Sequence, residues 1–188
     1  MSNEILWRNN LSDARQEAER QNKPIFIDWA DLPSCVGCVS LENNTYPAKD
    51  VIDFVSENFV PVQLNQRQNI EFFKQNKVIW TPTVTVCDAQ GAEQMRWIGY
   101  LPPEEFLPKT KFALAWLAML NQDYAQAAIS LKEIASSHKD SLTAPEALYW
   151  LGVADWKISR DFANLSNAWT SLMEIYPNSE AAQKASCL

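Results

Sequence analysis

Two cysteines separated by two residues follow closely on an apolar run, and this arrangement constrains the fold more than any other part of the chain. The run Pro24–Trp29 begins with proline and is rich in β-branched and aromatic residues, which is typical of a buried strand. A short loop leads to Cys35 and Cys38, and we expect a helix to begin near Cys35. The free N–H groups at a helix start favour a thiolate, and Cys38 then lies about one turn further in. A dithiol redox site requires this geometry.

Length, composition and charge limit the function classes. The chain has 188 residues, of which 47% are hydrophobic, and this is enough for a core without disulfide staples. A net charge of -7 argues against binding to nucleic acid or to an anionic membrane, since either needs clustered Lys and Arg. Four cysteines are too few for a disulfide-rich secreted scaffold. A redox or metal role for the close pair is therefore favoured.

The sequence also bears on location. Residues 1–8 lack a basic segment followed by an apolar core, so we expect no secretory signal and a cytoplasmic protein. The most apolar helical stretch, Phe112–Leu120, is too short to span a bilayer. We therefore predict no membrane segment.

Helical spacing and β-branched runs alternate through the first part of the chain. Ser12 is the candidate N-cap of the first helix, and the turn residues at 43–47 predict a loop. A turn at 88–91 is expected to close a hairpin. Helices are predicted at Leu11–Asn22, from Cys35 to about Glu42, at Lys49–Asn58, at Asn69–Lys77 and from Glu104, and strands at Ile25–Trp29, Phe59–Leu64, Thr83–Cys87 and Glu93–Ile98.

The pattern changes after about Pro108, where the β-branched runs disappear and Ala, Leu and Trp recur at helical spacing. We therefore predict an α/β domain over 1–108 and a small all-α domain over 109–188. Within the second part, Asp123–Leu131 and Asp161–Trp169 place an acid-aromatic pair, small residues and a large apolar residue at equal offsets. The two segments look like one repeat used twice.

Several features together make the first part resemble a thioredoxin-fold domain: Asp28 in the strand before the site, the Cys35–Cys38 motif opening a helix, Thr81-Pro82 just before a strand, and Gly99 after the hairpin. The cysteine spacing alone is a weak signal, whereas its combination with a later X-Pro is strong. The resemblance implies an α/β thioredoxin fold and thiol–disulfide exchange with protein disulfides. Cys35, nearer the helix start, is then the nucleophile, and Cys38 resolves the mixed disulfide.

The resemblance also implies how substrate binds. In that family the Thr81-Pro82 bond is cis and its backbone pairs with an extended substrate segment. A plain proline at the entry to a strand is the alternative. Trp80 is expected to border the groove, although core packing is the commoner role of a single Trp. The predicted substrate-binding residues are therefore Trp80, Thr81 and Pro82.

Asp28 resembles the buried acid that helps to move the proton of the resolving cysteine, and it is the third predicted catalytic residue. The alternative is an Asp that caps or hydrogen-bonds the cysteine loop. Gln63 stands where a thioredoxin has a Lys partner for this acid, and Val36-Gly37 separates the cysteines in place of Gly-Pro. These departures leave open whether the site reduces, oxidises or isomerises disulfides.

A structural zinc half-site is the alternative for the cysteine pair. Zinc needs about four ligands. The other candidates are Cys87 in mid-strand, Cys187 at the C-terminus and His138 in the helical part, so the sequence contains no second close pair. We expect neither a metal nor a cofactor.

The helical part resembles tetratricopeptide repeats, most closely where Leu148–Gly152 precedes Asp161-Phe162 and where Trp169 precedes Tyr176-Pro177. Two repeats are fewer than a free solenoid needs. The resemblance implies a surface that binds a protein partner or substrate. A helical cap that completes the fold is the alternative.

The leading hypothesis is a two-domain thiol–disulfide oxidoreductase that acts on protein disulfides through Cys35 and Cys38. Its expected partners are a protein thiol or disulfide substrate, a reductase or other electron donor, and a protein at the helical repeats. The alternative is a non-enzymatic adaptor in which the repeats bind a partner and the thioredoxin-like part is scaffold.

Overall fold

The apolar runs around the cysteine pair form a four-stranded sheet with the strand order β2-β1-β3-β4. The computed structural model describes residues 3–188. The strands are β1 Ile25–Ala30, β2 Val60–Asn65, β3 Thr83–Cys87 and β4 Glu93–Ile98. β1 pairs in parallel with β2 and antiparallel with β3, and β3 pairs antiparallel with β4. All six residues of β1 are buried, which explains why five of the six are apolar.

The first compact unit also contains the helices α1 Leu11–Gln21, α2 Val36–Ser40, α3 Lys49–Asn58 and α4 Ile70–Gln75. The next helix, α5 Pro103–Leu120, begins in this unit and continues past its last residue, Leu107. The predicted N-cap of α1 was wrong by two positions. Asn10, and not Ser12, caps the helix, because its Oδ1 accepts hydrogen bonds from the N–H groups of Ser12 and Asp13 at 2.8 and 3.4 Å.

The segment after α2 also differs from the prediction. The helix does not give way to a loop but continues as a π-helical turn, Leu41–Thr45, closed by a hydrogen bond of 2.8 Å from the Tyr46 N–H to the Leu41 carbonyl. Thr45 is buried, and its hydroxyl donates to the Leu101 carbonyl at 2.8 Å. Tertiary contacts therefore override the turn preference of the Asn residues at 43 and 44.

Aromatic side chains fill the core on both faces of β1. Phe26 packs edge-on against Phe59 and Phe106, with ring centroids 5.7 and 5.9 Å away. Trp29 points to the other face, as strand alternation requires, and packs against Phe73 at 5.0 Å. Asp28 shares the face of Phe26 and lies in an otherwise apolar layer.

The second compact unit, which begins at Pro108, is all-helical. It contains α6 Tyr124–Ser137, α7 Ala144–Ser159, α8 Phe162–Ile175 and α9 Glu180–Ala185. The acid of each repeated segment is a helix N-cap, since Asp123 accepts from the Gln126 N–H at 3.1 Å and Asp161 from the Ala163 N–H at 2.9 Å. Among residues 3–188, the helices are too short or too polar to cross a membrane.

Candidate active site

The Cys35 sulfur is held at the start of α2. Cys35 is the N-cap of that helix, and the Cys38 N–H donates to its Sγ at 3.1 Å. The Cys35 thiol donates in turn to the Thr81 carbonyl at 3.2 Å. Cys35 is partly exposed and lines a cavity that opens to solvent. Two of the predicted site residues, Cys35 and Thr81, are thus in direct contact although 46 positions separate them.

Cys38 lies one turn further into the protein and is only 2% exposed. The Asp31 N–H approaches its Sγ at 3.5 Å. Burial, with a smaller contribution from the hydrogen bond to Cys35, raises the pKa of the Cys38 thiol to about 12. Cys38 is therefore a protonated, protected thiol that needs a base before it can attack a disulfide.

The Thr81–Pro82 segment packs directly on the cysteine helix. Its peptide bond is cis, as is that of Leu32–Pro33 in the approach loop. A Cβ at Gly37 would lie 2.8 Å from Cδ of Pro82, a distance that real Cβ atoms do not show. Glycine between the two cysteines therefore lets the helix and the proline segment touch.

A cavity of about 520 Å³ opens beside Cys35. All three predicted substrate-binding residues lie on its wall, and Trp80 is 67% exposed. Val36 and Ile79, which are 80% and 84% exposed, extend the apolar rim, and Tyr100 closes it. None of these three residues was among the predicted site residues, although Val36 directly follows Cys35 and Ile79 directly precedes Trp80.

Asp28 is fully buried in β1 and faces Gln63 across the β1–β2 pairing. The Gln63 amide donates to Oδ2 of Asp28 at 3.0 Å. Burial raises the pKa of Asp28 to about 7, and the nearby charge of Glu42 acts in the same direction, while the Gln63 hydrogen bond opposes it. A carboxyl group with this pKa exchanges its proton close to neutral pH, as a general base must.

Glu42 belongs to the same network and was not among the predicted site residues. The Gln63 amide donates to its Oε1 at 2.5 Å, so one amide bridges the buried Asp28 and the half-buried Glu42. The spacing of Glu42 from Cys38, four positions along the helical segment, was the available sequence signal. The sequence also drew attention to its partner Gln63, because this residue stands where a thioredoxin has a Lys.

The other cysteines and the histidine lie elsewhere. Cys87 is buried in β3, where burial raises its pKa to about 12, and Cys187 is exposed. His138 is the C-cap of α6. Within the part of the chain that the structure describes, no cluster of three His, Cys, Asp or Glu residues could hold a metal ion. None of the four cysteines is joined in a disulfide.

Comparison with known proteins identifies relatives of part of the chain. Thiol:disulfide interchange protein DsbD from Vibrio cholerae is 35% identical over 106 residues, which are 53% of this chain and 17% of that protein. Spermatogenesis-associated protein 20 from Rattus norvegicus is 22% identical over 130 residues, covering 64% of this chain and 16% of that protein. The chain therefore spans less than a fifth of these curated relatives.

Two solved structures share the fold. DsbH oxidoreductase superposes with a TM-score of 0.51 at 19% identity, over 59% of this chain and 85% of that one. A putative disulphide-isomerase from Bacteroides thetaiotaomicron superposes with a TM-score of 0.53 at 23% identity, over 61% and 96%. The family model for a thioredoxin-like domain matches residues 11–114, more than half of the chain. By that match, and with a thioredoxin fold built around Cys35 and Cys38, the chain belongs to the thioredoxin-like domain family.

Proposed function

We propose that this protein exchanges thiols and disulfides with protein substrates through Cys35 and Cys38. The observation that carries the proposal is the pairing of an accessible Cys35 sulfur, open to an apolar cavity, with a buried Cys38 one helical turn behind it. Family membership and the 35% identity to a thiol:disulfide interchange protein support the same chemistry. Among the described residues that line the cavity, Cys35 is the only cysteine.

The exchange proceeds in two balanced steps. The Cys35 thiolate attacks one sulfur of a substrate disulfide, forms a mixed disulfide and releases the first substrate sulfur as a thiolate, which solvent protonates. The Asp28 carboxylate then accepts the Cys38 proton. The Cys38 thiolate attacks the Cys35 sulfur, forms the Cys35–Cys38 disulfide and releases the second substrate sulfur as a thiolate, which solvent protonates. Two electrons pass from the dithiol to the substrate, and the reverse sequence oxidises a substrate dithiol.

The cavity rim favours a polypeptide over a small thiol. Val36, Ile79 and Trp80 present a large apolar surface to solvent beside the reactive sulfur. An extended segment laid along the Thr81–Pro82 backbone would cover this surface. A small hydrophilic thiol would leave most of it exposed.

Reduction of insulin disulfides by the reduced protein tests the proposal. Cys35→Ser should abolish reduction, and Cys38→Ser should accumulate a mixed disulfide that mass spectrometry detects. Cys187→Ser is the matched control, because it removes an exposed cysteine outside the cavity, and it should retain full activity. Equal activity of the parent and Cys35→Ser would overturn the proposal.

The adaptor hypothesis predicts the opposite result. A parent without reductase activity, together with a Cys35→Ser, Cys38→Ser double variant that still binds a partner, would favour it. The partner-binding role of the helical unit, the electron donor that restores the dithiol and the cytoplasmic location stay predictions. The reduction potential of the Cys35–Cys38 pair, compared with that of the compartment, assigns the direction of exchange.

A further inference from the structure

Tyr46 is a buried residue at the site to which the proposed exchange assigns no role. It follows the π-helical turn Leu41–Thr45 and is only 5% exposed. Its ring packs edge-on against Trp7 and Phe106, with centroids 4.9 and 5.7 Å away. These two contacts fix where the phenolic hydroxyl lies.

Two buried polar atoms at the site lack a hydrogen bond. Neither the Tyr46 hydroxyl nor Oδ1 of Asp28 has a partner of ordinary geometry among the described residues. Buried polar atoms are nearly always paired, so each orphan requires an explanation. One of the two is a donor and the other an acceptor, and their side chains interact electrostatically.

The hydroxyl is surrounded by groups that carry or acquire negative charge. Burial raises the pKa of Tyr46 well above its usual value, and the charges of Asp28, Glu42 and Cys38 raise it further. The phenol therefore keeps its proton and acts only as a donor to a neighbouring anion. Of these three groups, only Asp28 has a buried oxygen, Oδ1, without a partner among the described residues.

We propose that Tyr46 is a positioning residue that donates a hydrogen bond to Oδ1 of Asp28 when that carboxyl is ionised. The inference rests on the proposed exchange, in which ionised Asp28 accepts the Cys38 proton. The bond gives each of the two orphan atoms a partner of complementary type. With Asp28 ionised, Gln63 holds Oδ2 and Tyr46 holds Oδ1.

The proposed hydrogen bond from Tyr46 should change the pKa of Asp28. A donor to the ionised form lowers the pKa of the carboxyl group, so the loss of the donor should raise it above about 7. Tyr46→Phe removes the hydroxyl and keeps the ring that packs on Trp7 and Phe106. We expect the Asp28 midpoint to rise by about one pH unit, the size typical of a hydrogen bond to a charged group.

Carbon-13 NMR of labelled Asp carboxyl groups in the 188-residue chain measures this midpoint directly. The pH profile of insulin reduction should shift by the same amount. Tyr124→Phe, in the helical unit, is the matched control and should leave the midpoint unchanged. An unchanged or lowered midpoint in Tyr46→Phe would overturn the inference. A raised midpoint in a protein that reduces no disulfide would support the hydrogen bond and refute the proposed exchange.

A double-variant cycle keeps the test independent of general damage to the fold. In an Asp28→Asn background the acceptor carboxylate is gone, so Tyr46→Phe should no longer change the pH profile. An equal shift of the profile in both backgrounds would contradict a role through Asp28.

Discussion

At the scale of single residues, Asp28 is the group whose environment most affects both stability and chemistry. It lies in a central strand with Gln63 as its hydrogen-bond donor and is 1% exposed. The same burial that raises its pKa to about 7 makes its ionisation costly for the folded state. A residue kept at such a cost is expected to have a chemical role.

Asp28→Asn should reduce the loss of folding stability that the protein undergoes as the pH rises. The folded pKa of about 7 exceeds the unfolded value near 3.8, so the contribution of Asp28 to stability is complete below pH 3.8 and is lost as the pH rises through 7. About three pKa units correspond to roughly 4 kcal/mol. Urea unfolding at pH 4 and pH 8 should therefore show the variant gaining about this much over the parent at the higher pH.

The same substitution should slow insulin reduction, because the base for Cys38 is lost. Asp13→Asn removes an exposed carboxylate and serves as the control, with a pH dependence like that of the parent. If Asp28→Asn and the parent lose stability equally between pH 4 and pH 8, folding does not raise the pKa of Asp28.

At the scale of elements, small residues decide where two helices approach closely. Gly152 in α7 faces α8, and a Cβ there would lie 2.8 Å from the Ala168 Cβ and 3.3 Å from the Trp169 ring. Trp169 is held in place by a stacked Tyr149 ring at 4.6 Å and by its own Nε1 hydrogen bond to the Tyr149 carbonyl at 3.1 Å. The neighbours therefore have little freedom to move away.

Gly152→Val should destabilise the helical unit by about 1–3 kcal/mol, the usual cost of overpacking a well-packed contact. Thermal unfolding followed by circular dichroism measures it. Ile158→Val, at a 54% exposed position of the same helix, is the control and should change stability by less than about 0.5 kcal/mol. A stable Gly152→Val variant would mean that α7 and α8 can separate freely.

At the scale of the whole molecule, the four thiols differ sharply in access. Cys35 is partly exposed and Cys187 is exposed, whereas Cys38 and Cys87 are buried and burial raises the pKa of each to about 12. Iodoacetamide reacts with accessible thiolates. The reduced native protein should therefore be labelled only at Cys35 and Cys187.

Peptide mapping by mass spectrometry at pH 8 checks this pattern, and labelling in urea provides the control in which all four cysteines react. Equal and slow reaction at Cys35 and Cys38 in the native state would contradict the assignment of Cys35 as the nucleophile. Fast labelling of Cys87 would show that β3 opens readily.

Much of the architecture could be predicted from short-range pattern. The strand at Ile25 and the helix opened by Cys35 lie where periodicity and composition place them. The change to helical spacing near Pro108 likewise falls where the compact units divide. Local preference failed at the π-helical turn Leu41–Thr45, where a distant part of the chain, the Leu101 carbonyl, supplied a contact. At the start of α1 the error was local, because Asn10 and Ser12 both belong to residue types that favour the N-cap position.

By itself, the sequence determined the cysteine motif, the Asp28 strand and the proline segment, because each is a local pattern of residue types. Only the tertiary structure decided that Gln63 bridges Asp28 to Glu42. It also decided that the side chain of Tyr46 lies near enough to Asp28 for the two to interact. These contacts join residues far apart in the chain, and one sequence carries no record of which distant residues meet. Burial in the folded core, rather than the identity of the carboxyl group, is what moves the Asp28 pKa to about 7.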